Sequence, residues 1–191
     1  MGGARVGLFG KVPARGDFVR AGLPGSFIEP WDAWLQRAID AARRTMGERW
    51  LPAWLDAPVW RFSLPPWVCG PGAVLGLMVP SVDRVGRYFP LTLAAVYPDG
   101  YGVVGGAAGD AWLDVCEAAG RMALEEDATP EQVAARLPVP EDGTGPPEDH
   151  SLWWTAGGPL VAATRFSLPG LPDPAGFAAM IDDNERAEPP A

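Results

Sequence analysis

The sequence has little of what metal-binding and nucleic-acid-binding sites need. The 191 residues include one histidine and two cysteines, and the formal net charge is −9 at pH 7. Zinc sites are built from clusters of histidine and cysteine, so we expect no metal centre. The acidic balance argues against nucleic acid as a partner, because phosphate backbones attract basic surfaces.

Long apolar segments are missing as well. No apolar run approaches the roughly 18 residues of a membrane span, and the short run 6–9 does not form the apolar core of a signal peptide. We therefore expect no direct membrane insertion and a cytoplasmic location. Cys69 and Cys116 are then expected to be free thiols, because the cytoplasm keeps thiols reduced.

What the chain does contain is enough apolar material for one ordinary domain. Apolar residues make up 48% of the sequence, and 24 glycines and 22 prolines predict short elements joined by tight turns. We assign residues 1–181 to a single domain and residues 182–191 to a polar C-terminal tail. Segment 138–149, rich in proline, glycine and acids, is predicted to be an exposed loop.

Apolar periodicity predicts the helices. The best supported one ends near Gly47, and its apolar residues recur at three- and four-residue steps. Its start is near either Ser26 or Glu29, and we prefer Glu29 because Pro30 deeper inside a helix would remove a backbone hydrogen bond. Further helices are predicted near 50–55, over 110–127, from Thr129 onward, and over 174–181.

Strands are predicted at 5–9, 59–64, 73–79, 88–97 and 158–167. The link between the third and fourth is too short for a helical crossover, so these two are expected to form an antiparallel hairpin. Strands that alternate with amphipathic helices indicate the α/β class. We predict a single-domain three-layer sandwich, with a mixed, largely antiparallel sheet and helices on both faces.

The most informative segment is 80–92, Pro-Ser-Val-Asp-Arg-Val-Gly-Arg-Tyr-Phe-Pro-Leu-Thr. It places Asp83, Arg84 and Arg87 between two apolar runs. Charge in such a place is costly unless it is paired or solvated. A tight turn that pairs Asp83 with an arginine and exposes the other charges would satisfy that condition.

With two further motifs, this segment resembles the TagF (ImpM) family, accessory proteins of bacterial type VI secretion systems. The other motifs are Phe-Gly-Lys-Val-Pro-Ala-Arg-Gly-Asp-Phe-Val at 9–19 and Ser-Leu-Trp-Trp at 151–154. The resemblance implies post-translational repression of secretion, in some systems through an FHA-domain scaffold protein. It implies no known reaction.

Motifs for nucleotide binding and catalysis fail at required positions. A phosphate-binding loop at Lys11 would need Gly at position 5 and Ser or Thr at position 12, where this chain has Arg and Val. His150 has an acid and a serine as neighbours, but adjacency alone does not make a triad. We therefore expect a non-enzymatic protein without a cofactor. Two alternatives stay open: a small hydrolase or transferase with dispersed acids, a serine and His150, and a permanent structural subunit of the secretion assembly.

The candidate partner-binding residues come from two loops and one Trp pair. They are Lys11, Arg15, Asp17, Asp83, Arg84, Arg87, Trp153 and Trp154. Both loops are expected at one end of the sheet, where their charges would complement those of a type VI secretion component. Consecutive side chains of an extended segment face opposite sides, so one of the two tryptophans is expected to be exposed as an anchor. The competing interpretations are a structural charge network and a tryptophan covered by the acidic loop.

Overall fold

The computed structural model describes residues 3–143 and 148–186. Seven strands form one sheet in the order β2-β1-β5-β4-β3-β6-β7, and each neighbouring pair is antiparallel. The strands are β1 (Arg5–Gly10), β2 (Val19–Ala21), β3 (Trp60–Leu64), β4 (Val74–Val79), β5 (Leu91–Val96), β6 (Ser151–Thr155) and β7 (Thr164–Leu168). The predicted hairpin is confirmed as β4–β5.

Helices lie on both faces of the sheet, which confirms the predicted fold class. They are α1 (Gly25–Met46), α2 (Trp50–Leu55), α3 (Gly106–Glu125), α4 (Pro130–Ala134) and α5 (Pro174–Ala179), with 3-10 turns at Gly47–Arg49 and Asp183–Glu185. α1, α2 and α5 share one apolar core with one face of the sheet, and α3 and α4 share a second core with the other face. No helix in the described ranges is long and apolar enough to cross a membrane.

Burial follows the position of each strand under these helices. Every residue of β4 and β5 is buried, as expected of strands covered on both faces. In β6, Leu152 and Trp154 are only half-buried, while the alternate residues are buried. α3 packs over β4 and β5 and α4 beside β1 and β2, whereas a cleft opens above β3, β6 and β7 on this face.

The preferred start of the first helix was wrong. α1 begins at Gly25 and carries Pro30 inside it. The N–H groups of Phe27 and Ile28 both donate to the carbonyl of Pro24, and both side chains are buried. Burial of this extra turn outweighs the one backbone hydrogen bond that Pro30 removes.

Three other sequence predictions needed correction. α3 begins four residues earlier than expected, β2 and β6 were not predicted as strands, and the strand expected at 158–167 starts only at Thr164. Thr129 does cap α4 in a reciprocal capping box with Gln132. Both cysteines are buried free thiols.

Part of the segment assigned to the polar tail packs on the domain. Asp182 is buried and accepts a hydrogen bond from the N–H of Asn184, while a carboxylate oxygen of Asp183 accepts one from the N–H of Ala162. These contacts hold residues 182–186 in place. Residues 187–191 of the tail, and 144–147 of the predicted 138–149 loop, lie outside the described residues.

Candidate functional site

The two charged loops meet at one end of the sheet, as expected. β5 is antiparallel to both β1 and β4, so the end of β1, the end of β4 and the start of β5 lie at the same end of the sheet. Loop 11–18 follows β1, and loop 80–90 joins β4 to β5. The N–H of Arg84 donates to the carbonyl of Arg15 at 2.8 Å, which joins the loops directly.

Lys11, the only lysine of the chain, forms a buried ion pair with Asp83. Its Nζ lies 2.8 Å from Oδ2 of Asp83, and the two residues are 5% and 3% exposed. The ammonium group also lies 5.0 Å from the centre of the Phe18 ring. Because either charge alone would be costly to bury, this pair holds the two loops together.

The carboxylate of Asp83 also organises its own loop. Oδ1 accepts hydrogen bonds from the N–H groups of Val85 and Arg87 at 3.0 and 2.9 Å, and Oδ2 accepts one from Nε of Arg87 at 2.7 Å. Burial alone would raise the pKa of Asp83, but the hydrogen bonds from Lys11, Arg87 and Val85 hold this pKa well below its usual range. Gly86, with φ at 85°, supplies the left-handed turn.

Burial corrects the expected role of three candidate residues. Lys11, Asp83 and Trp153 are almost entirely buried, so their side chains support the fold and do not form a contact surface. Trp153 packs against Trp31 and Phe62, and its indole N–H has no partner in the described part of the chain. The candidates that reach solvent are Arg15, Asp17, Arg84, Arg87 and Trp154.

Sequence reasoning missed two exposed apolar side chains beside these charges. Val85 is 66% exposed and Phe18 is 42% exposed. The Phe18 ring stacks on Phe9 with centroids 5.4 Å apart and meets Phe89 edge-on at 4.9 Å, which fixes its position. The sequence feature that could have identified them is an apolar residue next to charged residues in each loop.

We define the loop surface as Asp17, Phe18, Arg84, Val85 and Arg87. The guanidinium of Arg87 donates to the carbonyl of Gly16 and lies 4.0 Å from a carboxylate oxygen of Asp17. Arg15, at the margin of this surface, pairs with Asp127 at 2.9 Å. Arg84 is exposed and forms no ion pair within residues 3–143 and 148–186, so its charge is available to a partner.

A second candidate site lies on the α3 face, where a cleft of about 830 Å³ opens above β3, β6 and β7. Its floor includes Ser63, Leu152, Trp154, Arg165 and Ser167, and the first turn of α3 forms one wall. Trp154 is the half-buried member of the Trp pair, as expected from alternation. The guanidinium of Arg165 lies 5.5 Å from the centre of a Trp154 ring.

His150 lies at the rim of this cleft. Its Nδ1 is 2.9 Å from a carboxylate oxygen of Asp149, and both side chains are exposed. The hydrogen bond and the charge of His150 lower the pKa of Asp149. Among the described residues, no group of three or more His, Cys, Asp or Glu side chains is arranged to hold a metal ion.

The sequence model of the TagF N-terminal domain, described as type VI secretion system-associated, matches residues 7–139. The chain belongs to the TagF family. The match includes both charged loops and ends before the two strands that complete the cleft floor.

A solved structure extends the likeness over nearly the whole chain. The crystal structure of PA0076 from Pseudomonas aeruginosa PAO1 superposes with a TM-score of 0.84 at 33% identity, covering 97% of this chain and 98% of that one. Among curated proteins, no match is found. The likeness to this solved structure therefore extends over β6 and β7 as well as the matched segment.

Proposed function

We propose that this TagF-family chain is a non-enzymatic accessory protein that represses a type VI secretion system post-translationally by binding one of its components in the cytoplasm. An FHA-domain scaffold protein is the proposed partner. Association with type VI secretion is the family's own description. The observation that supports binding is the loop surface, where charged and apolar side chains are exposed on two loops held together by a buried ion pair.

The buried network favours binding because it fixes the loop surface before a partner arrives. Asp83 holds the backbone of its loop through two N–H groups, and the N–H of Arg84 holds the other loop. A preformed surface loses less conformational entropy on association than a mobile one. Arginine and aromatic side chains are also the types that contribute most at interfaces, and Arg84 and Phe18 provide both.

The exposed charges of the loop surface give the partner a defined chemistry. Arg84 and Arg87 carry positive charge and Asp17 negative charge, with Val85 between the arginines. We infer that the partner presents a carboxylate-bearing or phosphate-bearing patch beside an apolar contact, because guanidinium groups recognise both anions in a fixed fork geometry.

An affinity pull-down from the cells that produce the protein tests this proposal. We expect the tagged wild type to recover a secretion component, and the variant Arg84→Glu/Val85→Asp to lose it. This variant leaves Lys11, Asp83 and Arg87 in place, so folding is not expected to change.

A matched control is Arg43→Glu/Leu55→Asp. It makes the same two chemical changes away from the loop surface, at an exposed arginine and at a residue that is also 66% exposed. The control is expected to recover the component at the wild-type level. Equal recovery by both double variants would contradict the assignment of the loop surface as the binding site. If folded wild type recovers no secretion component, the proposed binding function is contradicted.

The cleft around His150 favours one second candidate, a small hydrolase or transferase. It brings His150 into a cleft with two serines, Ser63 and Ser167. No hydrogen bond joins either serine to His150 in the described structure. Turnover of ester and phosphoester substrates by wild type, lost in His150→Ala, would support this candidate; the leading proposal expects no turnover by either protein.

A further inference from the structure

The cleft above β3, β6 and β7 leaves one half of a sheet face without its helical layer. On the same face, α3 and α4 cover the other strands, and the residues beneath them are buried. Leu152 and Trp154 of β6 are instead only partly buried, with Trp154 packed against this second core. Domains of this architecture bury the apolar face of a sheet against a second layer, and here that layer is incomplete within the described residues.

The charges at the rim of the cleft indicate what kind of segment would complete the helical layer. Asp110, Glu148 and Asp149 are exposed and line the cleft, and Asp110 and Glu148 form no ion pair within residues 3–143 and 148–186. Asp110 begins a row that continues with Asp114 and Glu117 along α3. Residues spaced by four and three positions lie on one face of a helix, but Asp110 is the member of this row that lines the cleft.

The acidic row already binds one guanidinium group from the sheet. Nη2 of Arg61 lies 2.7 Å from a carboxylate oxygen of Asp114 and 3.0 Å from one of Glu117. Burial alone would lower the pKa of Arg61, but its hydrogen bonds and charge interactions with these two carboxylates raise it. Asp114 and Glu117 are therefore already paired with Arg61, and Asp110 is the acid of this row that lines the cleft.

The floor supplies apolar contact and an unused polar group. Ser63 lies between Leu75 and Leu152 in the strand register, and Ser167 follows Leu152 at the sheet edge. Ser63 is only 7% exposed and lines the cleft, and no hydrogen-bond partner of its hydroxyl is found in the described part of the chain. Arg165, the one arginine among the described residues that line the cleft, lies over the Trp154 ring.

We propose that this cleft docks a basic amphipathic helix of a partner protein, which completes the helical layer beside α3. Its apolar face would cover Leu152 and Trp154, and its Lys or Arg side chains would pair with Asp110 and Glu148. Recognition of this kind uses apolar anchors at helical spacing, with charge setting specificity. The inference concerns a different face from the loop surface and stands independently of it.

Binding of defined peptides tests this proposal. Three fluorescent peptides of about 18 residues, long enough to form a helix when bound, are compared by anisotropy at low salt. One has Leu at helical spacing with Lys on the other face, one replaces each Lys by Glu, and one shuffles the Leu/Lys sequence. We expect the first peptide to bind most tightly, the shuffled one more weakly and the Glu peptide not at all.

Variants and mapping locate the bound peptide. Asp110→Lys/Glu148→Lys is expected to weaken binding about tenfold, because two attractions become repulsions. Ser167→Arg is expected to weaken it by obstructing the floor. Glu29→Lys/Glu48→Lys, with the same charge change at exposed sites elsewhere, is expected to stay within about twofold of wild type.

Backbone amide NMR shifts should change at β3, β6, β7 and the first turn of α3. No binding of the Leu/Lys peptide, equal binding to the charge-reversed and control variants, or shifts confined to another face would each overturn the proposal. Because none of these readouts involves the loop surface, failure here leaves the proposed repressor function to its own test.

Discussion

Asp83 is the residue on which the loop surface depends. It is buried, accepts hydrogen bonds from two loop N–H groups, and pairs with both Lys11 and Arg87. The sequence alone predicted that Asp83 would pair with an arginine, but it did not predict Lys11 as the buried partner. The two residues are 72 positions apart, and only the antiparallel pairing of β1, β5 and β4 brings them together.

Replacing Asp83 by Asn should therefore be strongly destabilising. The variant leaves the Lys11 ammonium group buried without its counter-charge, and we expect the free energy of unfolding to fall by about 3 to 5 kcal/mol. Lys11→Met should cost less, because Arg87 still pairs with the carboxylate. Urea unfolding at pH 7 measures both, with the fully exposed Asp17→Asn as a control that should change little.

The stability lost in Asp83→Asn should also depend on pH, because it comes from the ionised carboxylate of Asp83. The folded-state pKa of Asp83 is depressed, so its contribution to stability is present above the unfolded pKa of about 3.9 and declines as pH falls below that value. The difference in stability between wild type and Asp83→Asn should shrink progressively from about pH 5 to pH 2. A difference that stays constant or grows over this range would contradict the proposed ion pair.

The two cysteines are buried and should be unreactive in the folded protein. Burial raises the pKa of Cys69 and of Cys116 to about 12, so neither is a reactive thiolate at neutral pH. We expect a thiol-reactive chromophore to modify neither cysteine in the native protein and both in urea. Rapid modification of the native protein would show that one of the two cores opens readily.

At the scale of elements, β4 shows how closely the central strands approach their neighbours. A Cβ on Gly76 would lie 2.7 Å from the ring of Phe62 and 2.8 Å from the carbonyl oxygen of Leu93. We expect Gly76→Ala to lower the free energy of unfolding by about 1 to 3 kcal/mol through overpacking. Gly25→Ala, at the exposed first residue of α1 where a Cβ would meet only a carboxylate oxygen of Glu29 at 3.8 Å, is the control and should be nearly neutral in the same urea titration.

Elements with strong local signals were the ones that the sequence predicted well. The apolar periodicity of α1, the capping box at Thr129 and the continuous apolar runs of β4 and β5 each appear in the structure. β2 has only three residues and follows a charged loop, so it carries no local pattern. The start of α1 was mispredicted because its first turn is stabilised by burial of Phe27 in the tertiary core, which outweighs a proline penalty.

The candidate site was only partly predictable for the same reason. Local sequence showed that both loops are charged and that one residue of the Trp pair faces outward. It could not show which charges are buried, because burial of Lys11 and Asp83 depends on contact between distant loops. Nor could it show the cleft, because its floor and walls come from segments that are distant in the sequence.

At the scale of the whole molecule, the two candidate surfaces differ in charge and position. The loop surface carries two arginines at one end of the sheet, whereas the cleft is bordered by acids on the α3 face, of which Asp110 and Glu148 form no ion pair in the described ranges. A net charge of −9 describes neither surface, because it averages over both.

We propose that this TagF-family chain represses type VI secretion through its loop surface. The most direct test is to delete its gene, restore it as wild type, Arg84→Glu/Val85→Asp or Arg43→Glu/Leu55→Asp, and measure the secreted type VI substrate at matched protein levels. We predict increased secretion in the deletion strain, repression restored by wild type and by the control variant, and no repression by the loop-surface variant. Unchanged secretion in the deletion strain would contradict the regulatory function, and full repression by the loop-surface variant would contradict the assigned surface.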